Sequence, residues 1–75
     1  MKVLFFASIA EITGQTELLI HDVRDTDELK RHLINTFPAI SGLNFALAIN
    51  RSIVHSNVDL QDTDEVALLP PFSGG

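Results

Sequence analysis

The chain has 75 residues, contains no cysteine and carries five basic against ten acidic side chains, for a net charge of −5. This length suits one small domain, the lack of cysteine excludes disulfides and thiolate metal sites, and the negative charge argues against nucleic acid as the main partner. Hydrophobic residues make up 45% of the chain and must form the core unaided, and no apolar run approaches the roughly 20 residues of a membrane span.

The first third of the chain predicts two strands separated by a short helix. Residues 3–6 are apolar at every position, which is typical of a central strand covered on both faces. Ser8 and Glu11 have the spacing of a capping box, so the helix is expected to begin there and to end at Gly14. A second strand is predicted over residues 15–21.

A longer helix is predicted next. The acidic and hydroxyl side chains of residues 25–28 supply candidate N-caps and suit the positive end of a helix dipole. Leu29, Leu33 and Phe37 recur every four residues and would lie on one side of the helix. Pro38 is expected to end it.

The second half of the chain predicts three further strands. Residues 43–50 alternate between large apolar and small or polar side chains, so one face of this strand is expected to pack on the long helix. A tight turn at residues 50–52 leads into a short return strand at 53–55. Residues 65–69 form the last predicted strand.

The order of these elements favours an α+β fold, in which a long helix lies across one face of a single sheet. The first and last strands are both nearly all apolar, so we expect them to be central neighbours. Their pairing would place the exit of the last residues beside the end of a central strand.

The chain closes on a distinctive tail, Pro70-Pro71-Phe72-Ser73-Gly74-Gly75. Two prolines cannot continue a helix or donate to a sheet, so a domain over residues 1–69 and a projecting tail over 70–75 are predicted. Glycine-rich ends are often linkers, but here the diglycine follows a strand and a rigid proline pair without a spacer. Because Gly74 and Gly75 lack Cβ atoms, they can pass through a narrow channel and deliver the Gly75 carboxylate.

Side chains that could carry catalysis or hold a metal form no pattern of their own in this sequence. His21, His32 and His55 lie at spacings that match no helical or finger-type metal site, and the serines lack a nucleophile-elbow context. No glycine-rich phosphate loop is present either. We therefore expect no bound metal and no bound cofactor.

Residues 1–10 resemble a short signal peptide. Their apolar stretch is at the lower limit of length for such a peptide, and cleavage would remove a strand that the small domain needs. A cytoplasmic location is therefore favoured.

Three stretches of the sequence carry a family resemblance when they are taken together. They are Val3-Leu4-Phe5-Phe6-Ala7 followed by Glu11, Ala48-Ile49-Asn50, and the run from Asp62 to Gly75 with its double proline and terminal diglycine. In this combination the chain resembles the small subunits of molybdopterin synthase, a family of ubiquitin-like β-grasp sulfur carriers. It departs from the family's usual pattern at Ala10, Thr63 and Phe72.

The resemblance implies a function for the tail. The Gly75 carboxylate would be activated by ATP on a separate ubiquitin-activating-type adenylyltransferase and converted to a thiocarboxylate by a sulfur donor protein. Ser73 and Gly74 would then thread into the large subunit of the synthase, where the sulfur passes to cyclic pyranopterin monophosphate. ATP would be bound by the activating enzyme, and the complex with the large subunit would be a heterotetramer.

A partner-binding surface is also expected. Strand alternation places Leu4 and Phe6 on one face of the first strand, and it places Leu69 on the face of the last strand that the helix leaves uncovered. An apolar patch of this kind would suit docking of the large subunit, and the alternative is that a loop covers it. The expected docking residues are Leu4, Phe6, Leu69, Pro70, Pro71 and Phe72.

Other functions remain open at this point. The chain could carry sulfur for thiamine synthesis or for thiolation of transfer RNA, with the same terminal chemistry and a different acceptor. It could instead be a ubiquitin-like modifier conjugated through Gly75 to lysine, or an interaction module with an inert tail.

Overall fold

The computed structural model describes residues 1–70. The elements are β1 (Lys2–Phe5), α1 (Ala7–Thr13), β2 (Glu17–Leu19), α2 (Thr26–Thr36), a single 3-10 turn (Pro38–Ile40), β3 (Ala46–Ile49), β4 (Ser52–Val54) and β5 (Glu65–Leu69). The predicted order of strands and helices is confirmed. The tail beyond Pro70, on which part of the sequence prediction depends, lies outside the described residues.

The strands form one mixed sheet in the order β2-β1-β5-β3-β4. The central pair, β1 and β5, is parallel, and every other neighbouring pair is antiparallel. The prediction that the first and last strands are central neighbours is therefore confirmed. Because they are parallel, both strands end at the same edge of the sheet.

The core lies between one face of the sheet and α2. Leu29 and Leu33 of α2 are fully buried, and the ring of Phe37 meets the ring of Phe5 edge to face, with centroids 5.7 Å apart. The sheet residues of this core are Val3, Phe5, Leu47, Val66 and Leu68. The α+β class, with one long helix across one face of a mixed sheet, is confirmed.

The start of α1 differs from the prediction. The helix begins at Ala7 with Phe6 as its N-cap and without a side-chain cap, so Ser8 lies inside the helix and the predicted capping box is wrong. The carbonyl of Phe6 accepts the backbone N–H groups of Ile9 and Ala10, which closes the first turn with main-chain groups alone. The end is as predicted, since Gly14 has the left-handed conformation, with φ of 72°.

Two strands are shorter than predicted. β2 covers only Glu17–Leu19, and β3 begins at Ala46 rather than at residue 43. Ala46 pairs with Leu69, the last residue of β5, and the next residue of that strand would be Pro70, which has no N–H to donate. The ladder therefore ends where its partner strand ends.

Two turns lie close together at the end of the sheet where β5 begins. Asn50 and Arg51 form the β3–β4 hairpin turn, and both have positive φ, 49° and 73°. The side chain of Asn50 also donates to the carboxylate of Asp64 and accepts the backbone N–H of Glu65, each at 3.0 Å. This pair of hydrogen bonds joins the hairpin turn to the turn that precedes β5.

Candidate functional site

The root of the tail lies at the edge of the sheet where the two central strands end. Phe5 pairs with Leu68, so the residues that follow them, Phe6 and Leu69, are neighbours at this edge. Pro70 comes directly after β5 and is half-buried. The other predicted tail residues, Pro71, Phe72, Ser73, Gly74 and Gly75, lie outside the described residues.

The sheet has one face that no helix covers. Paired residues on neighbouring strands point to the same side, and successive residues of a strand alternate between sides. Val3, Phe5, Val66 and Leu68 point to the core, so their neighbours along the strands point to this open face. The open face carries Lys2, Leu4, Glu17, Leu19, Ala46, Ala48, Ile53, Glu65, Ala67 and Leu69.

Three predicted docking residues come together on this side of the molecule. Leu4 and Leu69 are half-buried on the open face, and Phe6 is 44% exposed beside the tail root. Phe6 keeps an extended backbone, with φ of −118° and ψ of 151°, and so continues the alternation of β1. We call Leu4, Phe6, Ile53 and Leu69 the apolar patch.

Sequence reasoning missed Ile53 as a member of this patch. It pairs with Ala48 and is 48% exposed. The signal was available, because a two-residue turn at residues 50–51 fixes the pairing of β3 with β4. Alternation along β3 then places Ala48, and with it Ile53, on the side away from the helix.

Charged side chains border the apolar patch on two sides, at the edge formed by β2 and at the end of the face where β5 begins. Lys2 and Glu17 lie on β1 and the edge strand β2, with Nζ and Oε1 3.9 Å apart and both side chains about half exposed. Glu65 pairs with Lys2 at the end of the open face away from the tail. An apolar area with a polar rim is the composition of a protein-binding surface.

Two carboxylates of the described chain have lowered pKa values. The backbone N–H of Gln61 and then the Asn50 amide lower the pKa of Asp64, which lies before β5 begins. The backbone N–H of Glu28 lowers the pKa of Asp25, the N-cap of α2. Both carboxylates are held by turn and cap hydrogen bonds, so we assign them to stability rather than to chemistry.

Histidines and acidic residues do not cluster in the described part of the chain. His21, His32 and His55 are all exposed, and within residues 1–70 no three His, Asp or Glu side chains group closely enough to hold a metal ion. Within the same residues no helix has the length and apolar character to cross a membrane.

Solved structures resemble this fold over almost the whole chain. The solution structure of small archaeal modifier protein 1 from Methanosarcina acetivorans superimposes with a TM-score of 0.81 at 26% identity, covering 99% of this chain and 94% of that one. A complex of subunits 1 and 2 of molybdopterin-converting factor from Helicobacter pylori contains a chain that matches with a TM-score of 0.70 at 27% identity, covering 99% and 96%. The expected ubiquitin-like β-grasp fold is confirmed.

Sequence relatives match from end to end. The molybdopterin synthase sulfur carrier subunit of Chlamydomonas reinhardtii is 35% identical, covering 100% of this chain and 98% of its own length. The protein of the same name from Escherichia coli strain K12 is 33% identical, covering 100% and 99%. The family model described as ThiS family matches residues 3–75, and the chain belongs to that family.

Proposed function

We propose that this chain is the sulfur carrier subunit of molybdopterin synthase. The observation that carries the proposal is its end-to-end similarity to several proteins of that name, at 31–35% identity in plants, animals, algae and bacteria. Its final residues, Pro70 to Gly75, supply the delivery arm that such a carrier needs.

The chemistry takes place at the Gly75 carboxylate. A carboxylate oxygen attacks the α-phosphorus of ATP on the activating enzyme, pyrophosphate leaves, and an acyl-adenylate forms. A sulfur donor protein then displaces AMP, so that one carboxylate oxygen is exchanged for sulfur. The resulting thiocarboxylate gives its sulfur to cyclic pyranopterin monophosphate on the large subunit, and the carboxylate is regenerated after attack by water.

In this reaction the chain presents its sulfur-bearing terminus to the large subunit, and its partners contribute the catalytic groups. Ser73 and Gly74 thread into the large subunit, while Pro70, Pro71 and Phe72 guide the tail there. Leu4, Phe6 and Leu69 dock against the same partner; the matching chain from Helicobacter pylori was solved as part of a two-subunit complex. The reaction is placed in the cytoplasm, where ATP and the activating enzyme are available.

A second function is favoured by one observation. The small archaeal modifier protein has the same fold at a TM-score of 0.81, and a modifier would join Gly75 to a lysine of a target protein. Activation by ATP is common to both functions, so only the fate of the adenylate distinguishes them. Isopeptide-linked adducts would support the modifier.

The test is the intact mass of the purified chain after incubation with the cognate activating enzyme, ATP and a sulfur donor. A sulfur carrier gains the mass difference between sulfur and oxygen, and this gain requires ATP. Adding the large subunit and cyclic pyranopterin monophosphate should then return the chain to its original mass while molybdopterin forms.

A chain lacking Gly75 is the matched control, since its domain is unchanged and its terminal carboxylate lies one residue short. The proposal is contradicted if the full-length chain gains no mass with an activating enzyme that thiolates another carrier in the same assay.

A further inference from the structure

The first residue of α1 has a backbone conformation that its residue type does not favour. Ala7 has φ of 49°, in the left-handed region, where the Cβ atom of an L-residue crowds the following carbonyl oxygen. Its side chain is exposed, so burial of that side chain does not offset the strain. The strain at Ala7 therefore calls for an explanation outside the core.

The other positive φ values of the described residues have local reasons. They occur at Gly14, Asp22, Asn50 and Arg51. Glycine takes the left-handed conformation freely, and aspartate and asparagine take it more readily than most residues. Arg51 lies in the hairpin turn between β3 and β4, whose geometry requires a positive φ. Within residues 1–70, Ala7 is thus the position that neither residue type nor hairpin geometry explains.

Ala7 lies where the parallel pairing of β1 with β5 stops. The register pairs Phe5 with Leu68, and one and two steps further it would place Phe6 beside Leu69 and Ala7 beside Pro70. The chain turns into α1 at Ala7 instead, and the first turn of the helix closes on the carbonyl of Phe6. The turn therefore lies level with the root of the tail.

The partner strand stops pairing at the same level for a different reason. Pro70 has no N–H to donate, so it cannot continue a ladder as donor. Its carbonyl can still accept, and a β1 that stayed extended at residue 7 would run on beside it. Proline alone therefore does not separate the tail from β1, and the left-handed turn at Ala7 supplies the second half of the separation.

We propose that Ala7 is a positioning residue for the tail. Its left-handed turn takes β1 away from the position beside Pro70 and so leaves open the path of the tail to a partner. This inference rests on the proposed function, in which Gly75 has to enter the active sites of partner enzymes. A strand that ran on beside the tail would have to be parted from it at each entry. Strained conformations persist at functional sites for reasons of this kind.

The test changes the preference of residue 7 for the left-handed region. Valine disfavours this region and favours strands, so Ala7→Val should let β1 run on beside Pro70. Ala7→Gly is the conservative variant, because glycine makes the same turn without strain. Arg51→Val is the matched control, since it places the same residue at a positive φ at the opposite end of the sheet.

The readout is the initial rate of mass gain with the activating enzyme, ATP and the sulfur donor, at a temperature where urea unfolding shows every variant to be folded. Ala7→Val should slow the gain at least about tenfold, while Ala7→Gly and Arg51→Val stay within about twofold of the unsubstituted chain. Both valine variants should lower the urea midpoint to a similar extent. A loss of stability then cannot account for the difference in rate between them.

Each other outcome overturns a defined part of this account. Equal rates for Ala7→Val and Arg51→Val would refute the role of Ala7 and leave the proposed function standing. A rate for Ala7→Gly as low as that of Ala7→Val would assign the effect to the methyl group and overturn the turn as its cause. No mass gain by the unsubstituted chain would overturn both proposals. If Ala7→Val does not fold, Ala7→Leu and Arg51→Leu give the same comparison, since a residue without a β-branch is less strongly excluded from the left-handed region.

Discussion

At the scale of single residues, the hairpin turn contains backbone conformations that the residue types do not reveal. A turn at residues 50–52 is predictable from the polar residues between two strands, and the structure confirms it. The positive φ of Arg51, 73°, is not predictable, because glycine is the residue that usually takes this conformation. Thr63 is not among the residues with positive φ, as its β-branched side chain leads one to expect.

Replacing Arg51 with glycine should stabilise the chain. A non-glycine residue in the left-handed region is strained, so Arg51→Gly is expected to add about 0.5–1 kcal/mol to the free energy of unfolding and to raise Tm by roughly 2–8 °C. Ser52→Gly is the matched control in the adjoining strand and should be destabilising. A lower Tm for Arg51→Gly would show that the arginine side chain contributes more than its strain costs.

The Asp64 carboxylate should make stability depend on pH. Its pKa is lowered in the folded state by the Gln61 N–H and then by the Asn50 amide, so the unfolded chain binds this proton more readily. The stabilisation is present above the ordinary carboxyl pKa near 4 and is lost as pH falls through it toward the folded value.

Urea unfolding at pH 7 and pH 3 tests this account. Asp64→Asn should lower the unfolding midpoint at pH 7, and its difference from the unsubstituted chain should shrink at pH 3. Asp62→Asn, a change at an exposed position two residues away, should leave the midpoint nearly unchanged at both pH values. An equal effect of Asp64→Asn at both pH values would rule out the carboxylate as its cause.

At the scale of elements, α2 is anchored at its start by a distant loop. Thr26 is 2% exposed; its hydroxyl donates to the side-chain oxygen of Asn57 at 3.0 Å and accepts the N–H of Val58 at the same distance. The same Asn57 oxygen also accepts the N–H of Asp27 at 2.9 Å. The sequence offered candidate N-caps within residues 25–28, and Asp25 is the one used. It gave no sign of this second partner, because Asn57 is about 30 residues further along the chain.

Removing Asn57 should therefore weaken the start of α2. Asn57→Ala leaves the Thr26 hydroxyl and the Asp27 N–H without their acceptor, and we expect a loss of about 1–2 kcal/mol in the free energy of unfolding. Asn35→Ala, at an exposed position on the same helix, is the control and should change stability by less than about 0.5 kcal/mol. Equal effects of the two substitutions in urea unfolding would contradict this role for Asn57.

Element boundaries show how far local signals reach. Pro38 marked the end of α2, Gly14 the end of α1 and the apolar run at residues 66–69 the last strand. Each of these predictions is correct because its cause lies within a few residues. The start of α1 was wrong because the main chain of Phe6 closes the first turn, and main-chain groups carry no sequence signal. The start of β3 was wrong because it depends on where β5 ends.

At the scale of the whole molecule, the sequence predicted the part of the apolar patch on the two central strands and missed the part on β4. Alternation along β1 and β5 was sufficient to group Leu4 with Leu69. The hairpin turn and the alternation along β3 place Ile53 on the same face, but its position in one row with Leu4 also depends on the pairing of β3 with β5, which links residues about 20 positions apart. Long-range pairing of this kind is set by the packing of the core, and local periodicity does not encode it.

The predicted division into a domain over residues 1–69 and a tail over 70–75 leads to an expectation for Gly75. The buried core of the described chain ends at Leu68, so Gly75→Val should change the free energy of unfolding by less than about 0.5 kcal/mol. Under the proposed function, transfer of sulfur should nevertheless be lost, since a β-branched side chain would not pass a channel narrow enough to admit only glycine. Urea unfolding tests the unchanged stability, and the mass assay tests the loss of sulfur transfer. A fully active variant would refute the threading of the tail.

The central place of β5 has a consequence for how the protein is made. The strand at the middle of the sheet, Glu65–Leu69, is synthesised after the other four described strands, so the nascent chain cannot complete the core of residues 1–70 until Leu69 has been made. A product that stops before Leu69 lacks the strand that joins β1 to β3.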